Sequence, residues 1–487
     1  MIYIHFPFCK SFCTYCDFYS VRGKDRIAQY TQSLLREISL RKAFLCQCTS
    51  PATLYVGGGT PSLWPVEQLG EAVAAVSAAL REGAADYGRS CGAPGGGGRA
   101  VPGTWDGRGD AGIFAEFTVE VNPDDVTEAY ALALRRLGVN RVSMGVQSFS
   151  DRSLRWMARR HSPEGAVEAF RVLRSAGFDN ISLDLIFGYD PVAWGSGSSS
   201  DEELMQLWSD DLDAVLRLRP EHISAYQMGI EEGSVLGEMT AAGRYREPSD
   251  ELCAAQYALL QQRLASAGYL QYEVSNFSLP GRRALHNSGY WDRSPYIGLG
   301  PGAHSFDGDR RRCWNVPDLD RYIAAFGGGS AYSDCAVSSV VSEETLTDED
   351  VLTETIMLGL RTVDGLPLDV LVAMCRSSST VPGSHSGSAQ PSSSTVPGSR
   401  PGSVQPSSST VPGSRSGSVQ PSSSTMPDSR SGAAENSCHS LLSQLPHPLR
   451  TSVDRLLATG SLILRNGRLS IPPSRLFISD SIILVLL

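Results

Sequence analysis

Three cysteines near the start of the chain have the spacing of a metal-binding group. Cys9, Cys13 and Cys16 are separated by three and then two residues, in the stretch HFPFCKSFCTYCDF that follows the first strand-like segment. Thiolates grouped in this way select zinc or an iron–sulfur cluster. A closed zinc site needs four protein ligands, and His5, which lies on the strand, could serve as the fourth only with awkward geometry.

Three ligand chemistries remain open for this triplet. Cys46 and Cys48 could complete a zinc site, but they lie beyond a predicted helix. A disulfide would use two of the three cysteines and strand the third. Three ligands to a four-iron cluster leave one iron open, whereas ordinary electron carriers use four cysteines. We favour the cluster, whose open iron could bind and reduce a small molecule.

Polar residues recur near the carboxyl ends of the strands that follow. The run VGGGTPS over 56–62 would let the backbone approach a ligand closely, although a tight strand-to-helix turn explains it equally well. The other polar residues are Glu120, Asn122, Gln147, Asp184, Tyr226 and Gln227. Any one of these side chains could simply make a hydrogen bond within a sheet. Together they lie at the carboxyl ends of successive strands, the rim where α/β folds place their sites. The Arg159 guanidinium could form a bidentate contact with a carboxylate there. Alternatively, Arg159 is a solvated surface arginine.

The first half of the chain alternates predicted strands and helices. The strands are Ile2–His5, Thr53–Val56, Phe114–Val121, Arg141–Val146, Ile181–Phe187 and His222–Gln227. The helices between them are Ile27–Leu40, Val66–Leu80, Thr127–Leu137, Ala166–Ala176 and Glu202–Leu218. Six such units predict a parallel sheet with helical crossovers, either an open doubly wound sheet or a complete or partial barrel.

The pattern changes after Arg244. Helices are predicted over Glu251–Ala267, Leu346–Leu360 and Ser440–Ala458, and SLILRNGRLSI predicts a hairpin with Asn466-Gly467 at its turn. A helix followed by a small hairpin indicates a winged-helix-like end. We therefore expect a core over 1–244, a C-terminal α+β domain whose parts are 245–376 and 437–487, and an insertion between those parts.

The insertion, over 377–436, repeats SSSTVPGSRSGSVQP with a period of 15 residues. Its Ser, Pro and Gly residues cannot bury enough apolar surface to offset the entropy of ordering, so we expect disorder rather than a solenoid. A Gly-rich stretch over 86–112 and a shorter one over 194–200 are expected to be expanded loops.

Composition excludes several classes of function. The 487 residues include 42 basic and 52 acidic side chains, giving a net charge of −10 that argues against nucleic-acid binding. Eleven cysteines are too few for a disulfide scaffold in a chain of this length, and an odd number cannot all pair. The cysteine count therefore favours a reducing, cytoplasmic compartment. We see no signal peptide after Met1. The apolar stretch at 476–487 is too short to span a bilayer.

Together, C-x3-C-x2-C, GGGTP, E-x-N-P, GVQSF and SLDLIFG resemble the radical S-adenosylmethionine (SAM) superfamily. Within it the chain is similar to the oxygen-independent coproporphyrinogen III oxidase group, and in particular to that group's haem-chaperone branch. The resemblance implies a partial (β/α)6 TIM-like barrel with its site at the open rim. It further implies that Cys9, Cys13 and Cys16 hold a [4Fe–4S] cluster whose fourth iron chelates SAM.

The resemblance also assigns residues to SAM. Tyr3 and Tyr15 would flank the cofactor, and Gly58, Gly59 and Thr60 would receive its methionine moiety. Glu120, Gln147, Arg159 and Asp184 match the remaining contacts, with Asp184 at the ribose.

Two motifs distinguish the branches of the group. Its oxidases carry a further cysteine two positions after the third ligand, where this chain has Phe18. The chain instead has HNSGYW over 286–291, which resembles the H-N-x-x-Y-W motif of the haem-binding branch. His286 is thus the expected axial ligand of haem, with a capping histidine as the alternative. Gly300, Gly302 and His304 could line the same site.

The expected function is a haem chaperone that binds the cluster, SAM and haem and delivers haem to apo-haemoproteins. The alternatives are oxygen-independent coproporphyrinogen III oxidation by radical chemistry, a radical enzyme for another substrate, and a zinc-stabilised barrel. Expected partners are haem or porphyrin, a recipient apo-haemoprotein and a reductant such as flavodoxin or ferredoxin. A membrane-associated recipient and a homodimer are also compatible with the family.

Overall fold

A nine-stranded sheet organises most of the chain. The computed structural model describes residues 1–45, 52–90, 113–191, 197–327, 339–378 and 440–487. Six parallel strands form the centre of the sheet: β1 (Ile2–Phe6), β2 (Ala52–Gly58), β3 (Phe114–Val121), β4 (Arg141–Gln147), β5 (Ile181–Phe187) and β6 (His222–Gln227). The prediction of six βα units and a partial barrel is confirmed.

Helices connect these strands. They are α1 (Ile27–Leu40), α2 (Lys42–Leu45), α3 (Val66–Ser90), α4 (Glu128–Arg136), α5 (Asp151–Trp156), α6 (Pro163–Ser175) and α7 (Asp201–Leu218). Several begin at a Ser or Thr whose side-chain oxygen accepts a backbone N–H of the first turn, which satisfies a donor that the helix leaves free. These N-caps are Thr127, Ser150, Ser162 and Ser200.

The sheet continues beyond residue 244, where the sequence places the end of the core. The later strands are β7 (Leu270–Gln271), β8 (Asn276–Ser278) and β9 (Ile297–Leu299), and the order across the sheet is β9-β1-β2-β3-β4-β5-β6-β8-β7. Helices α8 (Val235–Ala241), α9 (Asp250–Ser266) and α10 (Leu285–Trp291) accompany them. Each added strand has only two or three residues, too few to give a periodic pattern.

The two faces of the central strands differ in polarity. Residues that face the helices are apolar and belong to the main core, as Val56, Val119 and Leu183 do. The alternate residues, such as Glu120 and Asp184, face the concave side. Because side chains of a strand alternate between its faces, the concave face is lined by polar groups along most of its depth.

The remaining elements form a smaller sheet and a second core. The strands β10 (His304–Phe306), β11 (Arg311–Asn315) and β12 (Val341–Thr345) pair antiparallel, and α11 (Leu319–Gly327) packs on α1. The second core contains α12 (Asp348–Leu360), β13 (Leu366–Pro367), α13 (Leu368–Ser378), α14 (His447–Ala458), β14 (Ile463–Arg465), β15 (Arg468–Ser470) and α15 (Ser479–Ile483). The predicted hairpin is present as β14–β15, with Asn466 and Gly467 both at positive φ.

Three segments singled out in the sequence fall wholly or partly outside the described residues. These are the Gly-rich stretch from residue 91 to 112, the repeat from residue 379 to 436, and residues 194–196 of the shorter stretch. Helix α3 runs through Ser90 and so includes the first five residues of the expected Gly-rich loop. Among the described residues, none of the helices combines the length and apolarity needed to cross a membrane.

Candidate functional site

The loop that carries the three cysteines connects β1 to α1 and is fixed at its middle. The Thr14 N–H donates to the Met157 carbonyl at 3.3 Å, and the Thr14 carbonyl accepts from Leu236 N–H at 2.8 Å. A two-residue parallel ladder between Phe8–Cys9 and Val21–Arg22 closes the base of the loop. The cysteines are therefore held at the carboxyl ends of the barrel strands, as the sequence predicts.

Burial affects two of the three thiols, and the thiols interact with one another. Burial raises the pKa of Cys9 and raises that of Cys16 to about 12, with the charge on Cys13 acting in the same direction on both. Within the residues that the structure describes, no group of three or more His, Cys, Asp or Glu side chains is placed so that it could hold a metal ion. Cys46 and Cys48, the alternative zinc ligands, lie outside that part of the chain.

A chain of hydrogen bonds joins Cys9 to Cys13 through residues that follow β2 and β3. Thr60 Oγ1 donates to Cys9 Sγ at 3.5 Å, and Asn122 Nδ2 donates to Thr60 Oγ1 at 3.4 Å. Arg159 Nη2 donates to Asn122 Oδ1 at 2.8 Å, while Arg159 Nη1 donates to Cys13 Sγ at 3.4 Å. We call these five residues the mouth network. It links the cysteine loop to the ends of β2 and β3 and to the segment after α5.

Arg159 is placed to receive an anion in addition to these contacts. Its Nη2 also donates to the Gly145 carbonyl at 2.6 Å. Its Nε is buried and has no hydrogen-bond partner among the described residues. A buried donor without a partner costs free energy until a ligand satisfies it. An amino-acid carboxylate suits this single donor, whereas both terminal nitrogens are already bonded within the protein and do not offer the bidentate contact that the sequence suggests.

The glycine run packs against the cysteine loop. Gly58 has φ of +115°, a conformation that side chains with a Cβ rarely adopt. A methyl group on Gly59 would lie 2.8 Å from the Phe8 carbonyl oxygen. The Gly59 N–H donates to the Phe6 carbonyl at 2.8 Å. The glycines thus permit close approach of β2 to the protein's own β1 loop, where the sequence led us to expect close approach to a ligand.

Glu120 is bound from two sides at the rim. Its Oε1 accepts from Tyr55 Oη at 2.7 Å, and its Oε2 accepts from Gly58 N–H at 3.1 Å. Burial raises the pKa of Glu120 to about 7, and the nearby charge of Asp184 acts in the same direction. At neutral pH the carboxyl group is therefore poised between its two protonation states, and a cationic ligand would favour the ionised one.

Asp184 and Gln147 occupy the adjoining strands. Asp184 accepts from Ser143 Oγ at 3.1 Å and from Ser182 Oγ at 3.4 Å, and burial raises its pKa. Gln147 has φ of 70°, at a register shift where β4 gains a residue relative to β5. A non-glycine residue in the left-handed region is uncommon and typical of functional sites. Gln147 lies beside the mouth network, since its Nε2 and Arg159 Nη2 both lie close to Gly145. Asp184 lies in the middle of β5, where its charge acts on Glu120.

Tyr3 and Tyr15 have separate surroundings. Tyr3 Oη is 3.0 Å from His5 Nδ1, and the Tyr3 ring packs 6.1 Å from that of Tyr55 on the concave face. Tyr15, in the cysteine loop, packs on the small apolar cluster that contains Trp156. Tyr15 is therefore beside the cysteines, whereas Tyr3 lies on β1 at the concave face.

His286 lies elsewhere, at the opposite end of the barrel. Only 1% of it is exposed, and its backbone N–H donates to Glu116 Oε1 at 2.9 Å near the start of β3. Its Nδ1 is 2.9 Å from Thr53 Oγ1 and its Nε2 is 3.0 Å from Tyr290 Oη. Burial lowers its pKa to about 3. Neither ring nitrogen is free to bind haem iron in this structure, and α10, with its HNSGYW residues, closes the barrel floor.

Sequence reasoning missed several contributors on the concave face. Tyr55 donates to Glu120, but tyrosine is common in strands, so its type alone does not indicate a site. Ser143 is a small residue that gives no signal in the sequence. The strands of a fully buried parallel sheet are almost uniformly apolar. The alternation of polar and apolar residues within these strands is therefore the signal that could have identified Tyr55 and Ser143.

A parallel partial barrel with a C-x3-C-x2-C loop at its mouth defines a radical SAM protein, and the model of the radical SAM superfamily matches residues 3–194. A protein of Mycobacterium tuberculosis named haem chaperone HemW is 33% identical over 371 residues, covering 75% of this chain and 83% of the relative. Proteins of the same name from Lactococcus lactis and Bacillus subtilis are each 30% identical and cover 75% of this chain, with 82% and 84% of their own lengths matched. The chain therefore belongs to the HemW family within the radical SAM superfamily.

Among solved structures, coproporphyrinogen III oxidase HemN from Escherichia coli matches with a TM-score of 0.61 at 16% identity. The match covers 100% of this chain and 89% of the oxidase. Identity at this level shows a shared fold and nothing further. The predicted radical SAM architecture with an appended C-terminal domain is confirmed by this likeness.

Proposed function

We propose that this protein is a haem chaperone that binds a [4Fe–4S] cluster, SAM and haem and passes haem to apo-haemoproteins. The observation that carries the proposal is the mouth network, which ties Cys9 and Cys13 to Arg159 around a rim of polar groups. The name and coverage of the HemW relatives support the haem-chaperone role.

Cys9, Cys13 and Cys16 would hold the cluster. Each thiolate of such a cluster binds a different iron atom, so three cysteines spread around one loop suit it. When bound, the cluster and SAM together supply one-electron reductive chemistry at the vacant iron. The chain contributes the hydrogen bonds of Thr60 and Arg159 to the sulfur atoms, which stabilise their thiolate form.

The residues of the rim would orient SAM. Arg159 Nε is a free donor for the carboxylate, Glu120 faces the cationic groups, and Asp184 suits ribose hydroxyls. Gln147 and Thr60 complete the surroundings, and Tyr3 and Tyr15 border the site on either side of the loop. The amides of Gly58 and Gly59 are already bonded within the protein, so we assign these glycines to shaping the site.

Phe18 supports a chaperone over an oxidase, because it stands where the oxidases of the group carry a cysteine. Its side chain is 55% exposed on the cysteine loop. We further propose a reductant of the flavodoxin or ferredoxin type, and a cytoplasmic location that fits eleven cysteines in so long a chain.

The test is anaerobic reconstitution of the full chain with iron and sulfide. We expect close to four irons per chain, a paramagnetic signal of the reduced cluster that changes when SAM is added, and one haem bound per chain. Haem transfer is measured by mixing the haem-loaded protein with an apo-haemoprotein and following the recipient's Soret band. Conversion of coproporphyrinogen to protoporphyrinogen, or zinc without iron, would contradict the proposal.

A further inference from the structure

A largely buried carboxylate lies beside the mouth network without belonging to it. Asp125 ends the short 3-10 helix Pro123–Asp125 that follows β3, and only 5% of its side chain is exposed. Its backbone N–H donates to the Asn122 carbonyl at 3.1 Å. This turn ties the carboxylate to the end of β3, where the mouth network passes through Asn122.

Three donors from three other segments converge on Asp125. Ser62 Oγ donates to its Oδ2 at 2.9 Å, and Arg160 Nη2 donates to the same oxygen at 3.4 Å. Lys10 Nζ donates to its Oδ1. Hydrogen bonds between a carboxylate and a cation are stronger than those between neutral groups. Asp125 therefore joins segments that are far apart in the chain, since Lys10 is 115 and Arg160 is 35 positions away.

Both cations that bind Asp125 adjoin residues of the mouth network. Lys10 directly follows Cys9, and Arg160 directly follows Arg159. Consecutive Cα atoms are about 3.8 Å apart, so a bond that fixes one residue restricts the position of the next. The carboxylate thus holds the segment of a candidate cluster ligand and the segment of a candidate SAM residue on the same group.

The hydroxyl that binds Asp125 has a similar place. Ser62 lies two positions after Thr60, which donates to the Cys9 thiol. Its Oγ also accepts from the Asn122 N–H at 3.3 Å. Asp125 is therefore bound to all four segments that carry the mouth network: the cysteine loop, the end of β2, the end of β3 and the segment after α5.

The neighbouring carboxylate makes only part of these contacts. Asp124 Oδ2 accepts from Arg160 Nη1 at 2.6 Å. Within the described part of the chain, it makes no hydrogen bond to Lys10 or Ser62. Exposed ion pairs contribute little to stability, whereas loss of a buried acceptor leaves its donors unsatisfied. Asp125 and Asp124 thus provide a matched comparison between a bridging carboxylate and a single ion pair.

We propose that Asp125 is a positioning residue that sets the distance between the cluster ligand Cys9 and the SAM-binding residue Arg159. The proposal rests on the cluster and SAM binding proposed above and adds a residue that acts through Lys10 and Arg160. In that function SAM binds the vacant iron and Arg159 together, so its affinity depends on their separation. The cluster is held by three thiolates of one loop and depends on this distance less.

The experiment measures iron content and SAM affinity of the full chain after anaerobic reconstitution, for wild type and Asp125→Asn. Asparagine keeps the size of the side chain and can accept from Ser62, but it offers no charge to Lys10 and Arg160. We expect the variant to retain nearly the wild-type iron content and to raise the SAM dissociation constant about tenfold, as changes beside metal ligands do. Its paramagnetic signal at saturating SAM should differ from that of wild type.

Asp124→Asn is the matched control, because it removes the same charge one position away and leaves the contacts of Lys10 and Ser62 in place. It should bind SAM nearly as wild type does. Equal losses in the two variants would overturn the proposal, since the charge or the Arg160 ion pair would then explain the effect. Loss of iron in proportion to SAM binding would also overturn it, because Asp125 would then support the loop alone.

Lys10 variants provide a second test that holds even if Asp125→Asn does not fold, because the Lys10 side chain is one-third exposed. Lys10→Met should weaken SAM binding, and Lys10→Arg should preserve it. The double variant Lys10→Met/Asp125→Asn should bind SAM no more weakly than Asp125→Asn, because residues in one network are not additive. Additive losses would contradict the proposal.

Failure of this assignment is distinct from failure of the proposed function. Wild-type SAM affinity and an unchanged signal in Asp125→Asn would remove Asp125 from the site while the function stands. If the wild-type chain assembles no four-iron cluster, or its signal does not respond to SAM, the proposed function itself fails.

Discussion

The Arg159 guanidinium contacts the Cys13 thiol, with Nη1 at 3.4 Å from Sγ. This contact joins a residue that follows α5 to a cysteine 146 positions earlier in the chain. Through Asn122 the same guanidinium reaches the end of β3. The arginine therefore fixes the cysteine loop to the sheet and leaves its Nε for a ligand carboxylate.

Replacing Arg159 by lysine should weaken SAM binding more than cluster binding. A lysine keeps the positive charge but cannot contact Cys13, Asn122 and a carboxylate at once, since its ammonium group is a single point of donation. We expect Arg159→Lys to retain most of its iron and to raise the SAM dissociation constant about tenfold or more, the cost of roughly one charge-assisted hydrogen bond. The measurement is the SAM-induced change in the cluster's paramagnetic signal, titrated with SAM.

Arg155→Lys is the matched control, because Arg155 is exposed on α5 and its Nη1 lies 4.0 Å from Asp151 Oδ1, a weak ion pair. It should titrate as wild type does. Equal SAM affinity in Arg159→Lys and wild type would remove Arg159 from the SAM site.

SAM affinity should depend on pH through Glu120. The pKa of Glu120 is raised to about 7 by burial, so below pH 7 the carboxyl is increasingly protonated and loses its attraction for the cationic cofactor. We expect SAM binding to weaken as pH falls from 8 to 6, by up to about tenfold per pH unit below the pKa. In Glu120→Gln the affinity should be lower at pH 8 and nearly flat over this range.

The control for this experiment is Glu128→Gln, an exposed carboxylate in the first turn of α4. Its profile should follow that of wild type. A Glu120→Gln profile as steep as wild type would assign the titration to another group.

The sequence predicted the fold and the mouth of the barrel because both depend on local pattern. The cysteine spacing, the six strands and the hairpin at Asn466-Gly467 are short-range features. The position of His286 could not be predicted, since nothing in HNSGYW indicates which end of the barrel α10 covers. Its place at the floor is decided by Glu116 and Thr53, which lie 170 and 233 positions away in the chain.

The added strands β7 to β9 and the role of the glycines also depend on long-range packing. Gly59 must be glycine because of the Phe8 carbonyl, a contact between two loops that no spacing rule contains. The polar residues of the concave face were recognised one strand at a time, whereas their partners, such as Tyr55 for Glu120, become evident only when the strands are aligned.

Gly59→Ala should destabilise the protein and impair cluster binding together. The new methyl group would lie 2.8 Å from a backbone oxygen that cannot rotate away, so β2 and the cysteine loop must separate. We expect a loss of roughly 1–3 kcal/mol in the free energy of unfolding and less iron after reconstitution. Gly165→Ala is the control, because its methyl group would meet only Ser162 Oγ at 3.5 Å. If both variants reconstitute alike, the close approach is not needed.

Removing the repeat should leave cofactor binding intact. Helix α13 runs through Ser378, two residues into the predicted insertion, and the described chain resumes at Ser440. Cys375 and Leu442, on either side, belong to the same second core. A short Gly-Ser linker in place of residues 380–436 is therefore expected to preserve the iron content, the SAM response and haem binding. Loss of any of these in the deletion variant, with its thermal unfolding unchanged, would show that the repeat takes part in binding.

The stability of the protein should fall with rising pH through Asp211. This carboxyl is buried between α7 and the end of β4, where it accepts from Phe149 N–H at 2.6 Å and from Ser148 Oγ at 2.8 Å. Burial raises its pKa from 3.8 to about 7. Between these values the folded state holds a proton that the unfolded state has released, so the stabilisation is complete below about pH 4 and is lost as pH rises to 7.

Asp211→Asn should remove that pH dependence, because an amide can keep both hydrogen bonds without a charge: its oxygen accepts from Phe149 and its nitrogen donates to the Ser148 hydroxyl. We expect the variant to be more stable than wild type above pH 7, by roughly 1–4 kcal/mol at 1.4 kcal/mol per unit of pKa difference, and similar to it near pH 4. Urea unfolding at a series of pH values measures the difference, in which titrations common to both proteins cancel. Asp179→Asn, an exposed carboxylate, should leave the profile unchanged. A constant difference between Asp211→Asn and wild type from pH 4 to 8 would mean that Asp211 is ionised in the folded protein throughout.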